Sequence, residues 1–149
     1  GVGNASGLVN KRTLRTMAEG AARGDLAKTF NVYVKALQKQ YIAETTAGSE
    51  DKHFVEQHVE EAMKQVTAQS LTGSEIVEYW QNPLDTKEAY ALARLDIARF
   101  VEAMDSFNSA NAKFKELDAK MRDYVRKNAE KAFDTLETEV DKAQEQQGK

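Results

Sequence analysis

The chain has 149 residues, of which 41% are hydrophobic and 30% charged, and its formal net charge is −3. A chain of this length fits one domain with a core of its own, and its charge gives no electrostatic reason to expect nucleic acid as a partner. The absence of cysteine excludes disulfides, thiolate metal sites and cysteine nucleophiles from these residues.

The N-terminal part of the sequence predicts a short strand followed by a long helix. Residues 1–7 contain too much glycine for a helix, and we interpret them as the end of an edge strand. From about Asn10 to Thr45, apolar residues recur every three to five positions, which is typical of an amphipathic helix. Gly20 and Gly24 lie inside that helix, where each costs up to about 1 kcal/mol relative to alanine. Either another backbone approaches the helix at these glycines, or they are simply tolerated.

The middle of the chain predicts a second helix and then a β-hairpin. Small polar residues at 45–51 interrupt the first helix, and the second is expected to run from there to about Ser70. Two strand-like runs follow, at 75–83 and 88–96, and the only proline, Pro83, belongs to the turn sequence NPLD at 82–85 that joins them. In the second run Ala89, Ala91, Ala93 and Leu95 share one face, which we expect to pack against the first helix.

The C-terminal part predicts two further helical segments. One begins near Ile97, a cap or kink is expected at 106–109, and a final helix is predicted from about Ala110 to Gln146. At 1.5 Å per residue this last helix would extend over about 54 Å. It must therefore fold back along the first helix, pair with another chain or project from the domain. The predicted fold is α+β, with a small antiparallel sheet, made of the N-terminal strand and the hairpin, covered by a long helix.

Three aromatic residues of the hairpin form a candidate ligand site. Trp80, Tyr79 and Tyr90 lie close together in sequence or in strand pairing, and aromatic faces stack with planar ring systems. The alternative, which we favour, is that Trp80 belongs to a core or an interface. A small-ligand module that uses these three residues to bind a planar ligand is therefore the second hypothesis for function.

Histidine and carboxylate residues of the second helix give only weak indications of chemistry. His53, Glu56 and Glu60 share a helical face, which is the arrangement that a cation site needs. His58 aligns with the apolar stripe, and we expect it to be a partly buried helix residue. The spacing of the two histidines differs from that of the zinc-binding helix motif. We predict no metal site, no cofactor and no catalytic residues.

Four segments together resemble the LPP-twenty family of bacterial lipoproteins. The resemblance covers about residues 1–105 and is carried by GVGNA at 1–5, AARGDLAK at 21–28, EIVEYW at 75–80 and YALARLD at 90–96. It implies an LPP-twenty-like α+β domain at 1–105, in the form of a dodecin-like open sandwich, and a C-terminal helical extension at 106–149. That extension would pack on the domain or mediate oligomerisation.

The same resemblance implies a location and a role. Members of this family are non-enzymatic proteins anchored at the outer membrane, facing the periplasm, by a lipid on an upstream cysteine. The leading hypothesis is therefore a cell-envelope domain with a structural or assembly role. Its expected partners are envelope proteins and a second copy of itself, bound through the C-terminal helix. Its contact with the membrane would be through the lipid anchor alone.

Overall fold

The computed structural model describes residues 1–45, 52–107, 115–129 and 131. The elements in chain order are β1 (Val2–Ser6), α1 (Lys11–Thr45), α2 (Lys52–Thr72), β2 (Glu75–Gln81), β3 (Glu88–Arg94) and α3 (Ile97–Asp105), followed by a helix at 115–129, here α4. The predicted α+β fold is confirmed. The remainder of the helix predicted at 110–146 and the end of the predicted cap at 106–109 lie outside the described residues.

The three strands form one antiparallel sheet in the order β1-β3-β2. The N-terminal strand is thus an edge strand, as predicted, and pairs with β3 from Val2 opposite Leu92 to Ser6 opposite Glu88. On the other side of β3, Trp80 lies opposite Tyr90, and a bulge between Ile76 and Glu78 shifts the register. The hairpin prediction is confirmed as well, because β2 and β3 are consecutive neighbours.

Asparagine and aspartate side chains shape the turn between β2 and β3. The Leu84 amide donates a hydrogen bond of 3.0 Å to Asn82 Oδ1, and the Lys87 amide donates one of 3.0 Å to Asp85 Oδ1. These short side chains satisfy backbone donors that the turn removes from the strand ladder. The turn chemistry expected around Pro83 is therefore provided by Asn82 and Asp85.

Small residues allow the sheet to pack closely against α1. A Cβ added to Gly3 would lie 2.0 Å from the Ala22 backbone nitrogen, and one added to Gly1 would lie 2.3 Å from the Leu26 nitrogen. The alanine face predicted for β3 is buried in the same cluster, which comprises Ala5, Leu14, Ala18, Ala22, Ala89, Ala91 and Ala93. At the points of closest approach, Gly1 and Gly3, the helix backbone leaves no room for a Cβ, which is why glycine occupies both positions.

The glycines within α1 do not have the role that one interpretation of the sequence gave them. A Cβ added to Gly20 or Gly24 would find nothing within 4 Å, and both positions are exposed. The interpretation that another backbone approaches the helix there is wrong. The close approach occurs instead at Gly1 and Gly3, on the strand side of the contact.

The chain divides into two compact units, and α1 contributes residues to each. The sheet unit consists of Gly1–Asn31 and Gln69–Asp96, and the helical unit of Val32–Ala68 and Ile97–Lys149. This division by packing differs from the boundary expected at residue 105, which rests on resemblance and stays a prediction.

The core of the helical unit combines side chains from α1, α2, α3 and α4. The second half of α1 contributes Tyr33, Leu37 and Tyr41, and the largest buried side chains from the other helices are Val59, Met63, Val66, Phe100, Met104, Met121 and Val125. The Tyr33 hydroxyl donates a hydrogen bond of 2.7 Å to the Ala129 carbonyl of α4. The last helix is expected from the sequence to fold back along the first helix, to pair with another chain or to project from the domain. Residues 115–129 fold back, because they pack along α1 of their own chain.

Candidate functional site

The candidate site lies on the side of the sheet opposite to α1, here called the outer face. Because side chains alternate along a strand, the register places ten residues on it: Val2, Asn4, Ser6, Glu75, Glu78, Trp80, Glu88, Tyr90, Leu92 and Arg94. Several large apolar side chains of this face are exposed, with Val2 at 61%, Trp80 at 49% and Leu92 at 37% of their maximum. The outer face thus presents aromatic and aliphatic groups among carboxylates.

Trp80 and Tyr90 form the aromatic centre of the outer face. They lie opposite each other in the β2–β3 register, and their ring centroids are 5.5 Å apart with an interplanar angle of 38°. The distance lies in the range of favourable aromatic contacts, and the angle is intermediate between a stacked and an edge-to-face arrangement. About half of the Trp80 side chain remains available to another molecule.

Tyr79, the third aromatic residue of the predicted platform, faces the other way. It is next to Ala91 in the register, packs at the edge of the α1 cluster and lies under the Arg15 guanidinium, whose Cζ is 4.9 Å from the ring centroid. The structure therefore brings together Trp80 and Tyr90 and separates Tyr79 from them. The alternation of a strand requires this, since Tyr79 and Trp80 are consecutive.

Glu88 belongs to the same site although sequence reasoning did not select it. Its carboxylate accepts a hydrogen bond of 2.6 Å from the Tyr90 hydroxyl and another of 2.8 Å from the Asn82 amide. The hydrogen bond from Tyr90, and to a smaller extent the one from Asn82, holds the pKa of Glu88 below its ordinary value. The hydrogen bond to Glu88 in turn raises the pKa of Tyr90, and desolvation and the negative charge add to this effect. The signal in the sequence was the two-residue spacing of Glu88 and Tyr90, which places both on one face of a strand.

The two histidines have separate structural surroundings. His53 Nε2 lies 3.3 Å from Gln57 Nε2 on the exposed side of α2. His58 Nε2 lies 2.6 Å from Asp118 Oδ1, and the two side chains are only 10% and 4% exposed. His58 is thus a partly buried helix residue, as predicted. Within residues 1–45, 52–107, 115–129 and 131, no group of three histidine or acidic residues is arranged to hold a metal ion.

Asp118 is the residue of the helical unit that the sequence analysis missed. It occupies the stripe of α4 that also contains Met121 and Val125, three and seven positions later, both fully buried. An aspartate at this spacing among buried apolar residues needs a hydrogen-bond partner. His58, 60 residues away in sequence, could be identified as that partner only from the packing of α2 against α4.

No family model matches the chain, and no curated protein matches it at a significant level. None of the helices within the described residues has the length and hydropathy needed to cross a membrane.

Proposed function

We propose that this chain is a non-enzymatic domain of a bacterial cell-envelope lipoprotein, with a structural or assembly role at the outer membrane facing the periplasm. The proposal combines the LPP-twenty resemblance with one observation, the exposed apolar surface of the outer face. Trp80 and Leu92 expose substantial side-chain area there, and exposed apolar groups that lie together on one surface mark sites of interaction. Contact with another protein is the use that this surface supports best.

The arrangement of the resembling segments supports the same proposal. All four lie in the sheet unit, where three of them provide the closely packed small residues Gly3, Ala22 and Ala91. The fourth contains Trp80 on the outer face. The segments therefore contribute both the packing of the sheet unit and its exposed surface.

The first test is the intact mass of the full-length gene product purified from its own cells. We expect a mass that exceeds the encoded one by the lipid of a diacylated cysteine upstream of residue 1, and recovery with the outer-membrane fraction. A product that carries no lipid and is recovered in the cytosol would overturn the proposed location. In that case, a cytosolic ligand-binding module would become the better hypothesis.

The second candidate function is binding of a small planar ligand such as a flavin. The half-exposed Trp80 ring beside Tyr90 favours it, since aromatic rings stack on planar ligands. Titration with riboflavin should then quench the fluorescence of both flavin and Trp80, the only tryptophan. Tyr90→Ala should weaken this quenching, and Tyr79→Ala is the matched control because Tyr79 is on the opposite side of the sheet. Lack of quenching at high micromolar riboflavin would eliminate this candidate.

Self-association through the C-terminal helix stays a prediction. Met121, Val125 and Ala129 of α4 are buried within the helical unit, so an interface formed by α4 would use its exposed side, which includes Asp123 and Lys127. Sedimentation equilibrium of the wild-type chain and of a variant with both of these residues changed to alanine tests it. A dimer that the double variant loses is the expected result, and a monomeric wild-type chain is the contrary one.

A further inference from the structure

The aromatic pair of the outer face is flanked by a carboxylate on each side. Glu78 precedes Trp80 by two residues on β2, and Glu88 precedes Tyr90 by two residues on β3. Because β2 and β3 are antiparallel, the two glutamates lie on opposite sides of the aromatic pair, each about 7 Å along its strand. A group bound on Trp80 would therefore have a carboxylate within reach in either strand direction.

The outer face carries a net negative charge. Its charged residues are three glutamates, at positions 75, 78 and 88, and one arginine, Arg94. The Arg94 guanidinium is already paired with Glu75, at 3.1 Å, which leaves the centre of the face negative. The hydrogen bonds from Tyr90 and Asn82 favour the ionised form of Glu88. A partner of complementary charge must be basic.

The combination of an exposed indole with nearby carboxylates favours the guanidinium of arginine over the ammonium of lysine. A guanidinium is planar, stacks on aromatic rings and donates paired N–H groups to a carboxylate, whereas an ammonium is a compact and more strongly hydrated charge. We infer that the outer face binds an arginine-bearing basic segment of a protein partner, with the guanidinium stacked on Trp80 and paired with Glu78 or Glu88. This inference rests on the proposed function in that it takes the protein to act through contacts with other proteins.

The test uses a short acetylated and amidated peptide of alternating glycine and arginine. Trp80 is the only tryptophan, so its fluorescence reports binding at the site directly. We expect a saturable change with the arginine peptide, weaker binding as salt is added, and no saturable change with the same peptide carrying citrulline. Citrulline keeps the shape of arginine and removes its charge.

Variants of the flanking carboxylates identify the contacts. Glu78→Gln and Glu88→Gln should each weaken binding of the arginine peptide by about two- to fivefold, the range expected for exposed ion pairs. Glu102→Gln is the matched control, because Glu102 is an exposed glutamate of α3 in the helical unit. This control should leave the affinity unchanged.

Three results of the peptide titrations would overturn the inference. They are no saturable binding of the arginine peptide, equal binding of the citrulline peptide, and unchanged affinity when both glutamates are replaced. A concentration-dependent dimer that Trp80→Ala abolishes would assign the outer face to a second copy and overturn it too. A lipidated native product that fails to bind the peptide would refute this inference and leave the proposed function intact. Peptide binding by a native product that carries no lipid would support this inference and overturn the proposed location.

Discussion

Gly3 and the backbone nitrogen of Ala22 are so close that a Cβ on the glycine would lie 2.0 Å from that nitrogen. This contact brings β1 against α1 and sets the spacing of the sheet unit. The neighbouring Val2 amide donates a hydrogen bond of 2.9 Å to Asp25 Oδ2 of the same helix. The edge strand β1 is thus held against α1 by close packing and by a hydrogen bond from the Val2 backbone amide to the Asp25 side chain.

Substitution of Gly3 by alanine should destabilise the fold. The added methyl group would overlap backbone atoms of α1, and backbone atoms cannot move aside by changing a side-chain rotamer. We therefore expect the free energy of unfolding, measured in urea, to fall by about 1–3 kcal/mol. Gly24→Ala is the control, because the same methyl group there would meet nothing within 4 Å. In an exposed helix this change should raise stability by about 0.5–1 kcal/mol. Equal effects of the two changes would contradict the packing described for β1.

Loss of the Asp118 carboxylate should weaken the helical unit. His58 Nε2 lies 2.6 Å from Asp118 Oδ1 in the wild-type chain. Asp118→Ala removes this buried partner. The expected loss of stability is about 1–3 kcal/mol. Asp105→Ala provides the comparison within the helical unit, since its ion pair with Arg126 is exposed and its removal should change stability by less than about 0.5 kcal/mol. Urea unfolding followed by circular dichroism distinguishes the two, and similar losses would argue against a buried His58–Asp118 pair.

Asn10 should contribute to stability as the N-cap of α1. Its side-chain oxygen accepts a hydrogen bond of 2.8 Å from the Thr13 amide, which satisfies one of the free donors of the first turn. We expect Asn10→Ala to lower the free energy of unfolding by about 1 kcal/mol. Asn10→Ser retains an acceptor at this position and should be close to wild type. An alanine variant as stable as the serine variant would rule out the cap.

The titration of Glu88 should depend on the Tyr90 hydroxyl. The pKa of Glu88 is lowered in the folded chain, so its contribution to stability is present above the unfolded pKa and is lost as the pH falls through the folded one. Tyr90→Phe removes the largest cause of the shift and should raise the Glu88 pKa towards its ordinary value, as followed by the carboxyl ¹³C chemical shift. Tyr79→Phe should leave this titration unchanged, because Tyr79 lies on the other side of the sheet.

The pKa of Tyr90 should respond in the opposite sense. It is raised in the folded chain, so its contribution to stability is present below the unfolded pKa and is lost as the pH rises through the folded one. Glu88→Gln removes the charge and weakens the hydrogen bond, and the phenolate absorbance of Tyr90 should then develop at lower pH than in the wild-type chain. An unchanged titration would show that the contact between the two side chains does not persist in solution.

Local patterns in the sequence determined the elements and one of the packed faces. The apolar spacing of α1, the turn around Pro83 and the alternation of Ala89, Ala91 and Ala93 each depend on residues within one helical turn or one strand. Side-chain direction follows from backbone period over such distances. The same alternation separates Tyr79 from Trp80 and places Glu88 and Tyr90 on one face of β3.

The tertiary structure alone decided which distant residues meet. The sequence offered Gly20 and Gly24 for a close approach, but the approach occurs at Gly1 and Gly3, where β1 crosses α1. His58 likewise meets Asp118 across 60 residues, because α2 and α4 pack in one unit. Backbone period sets the direction of a side chain within its own element, whereas the choice of neighbour depends on how complete elements fit together and fill space.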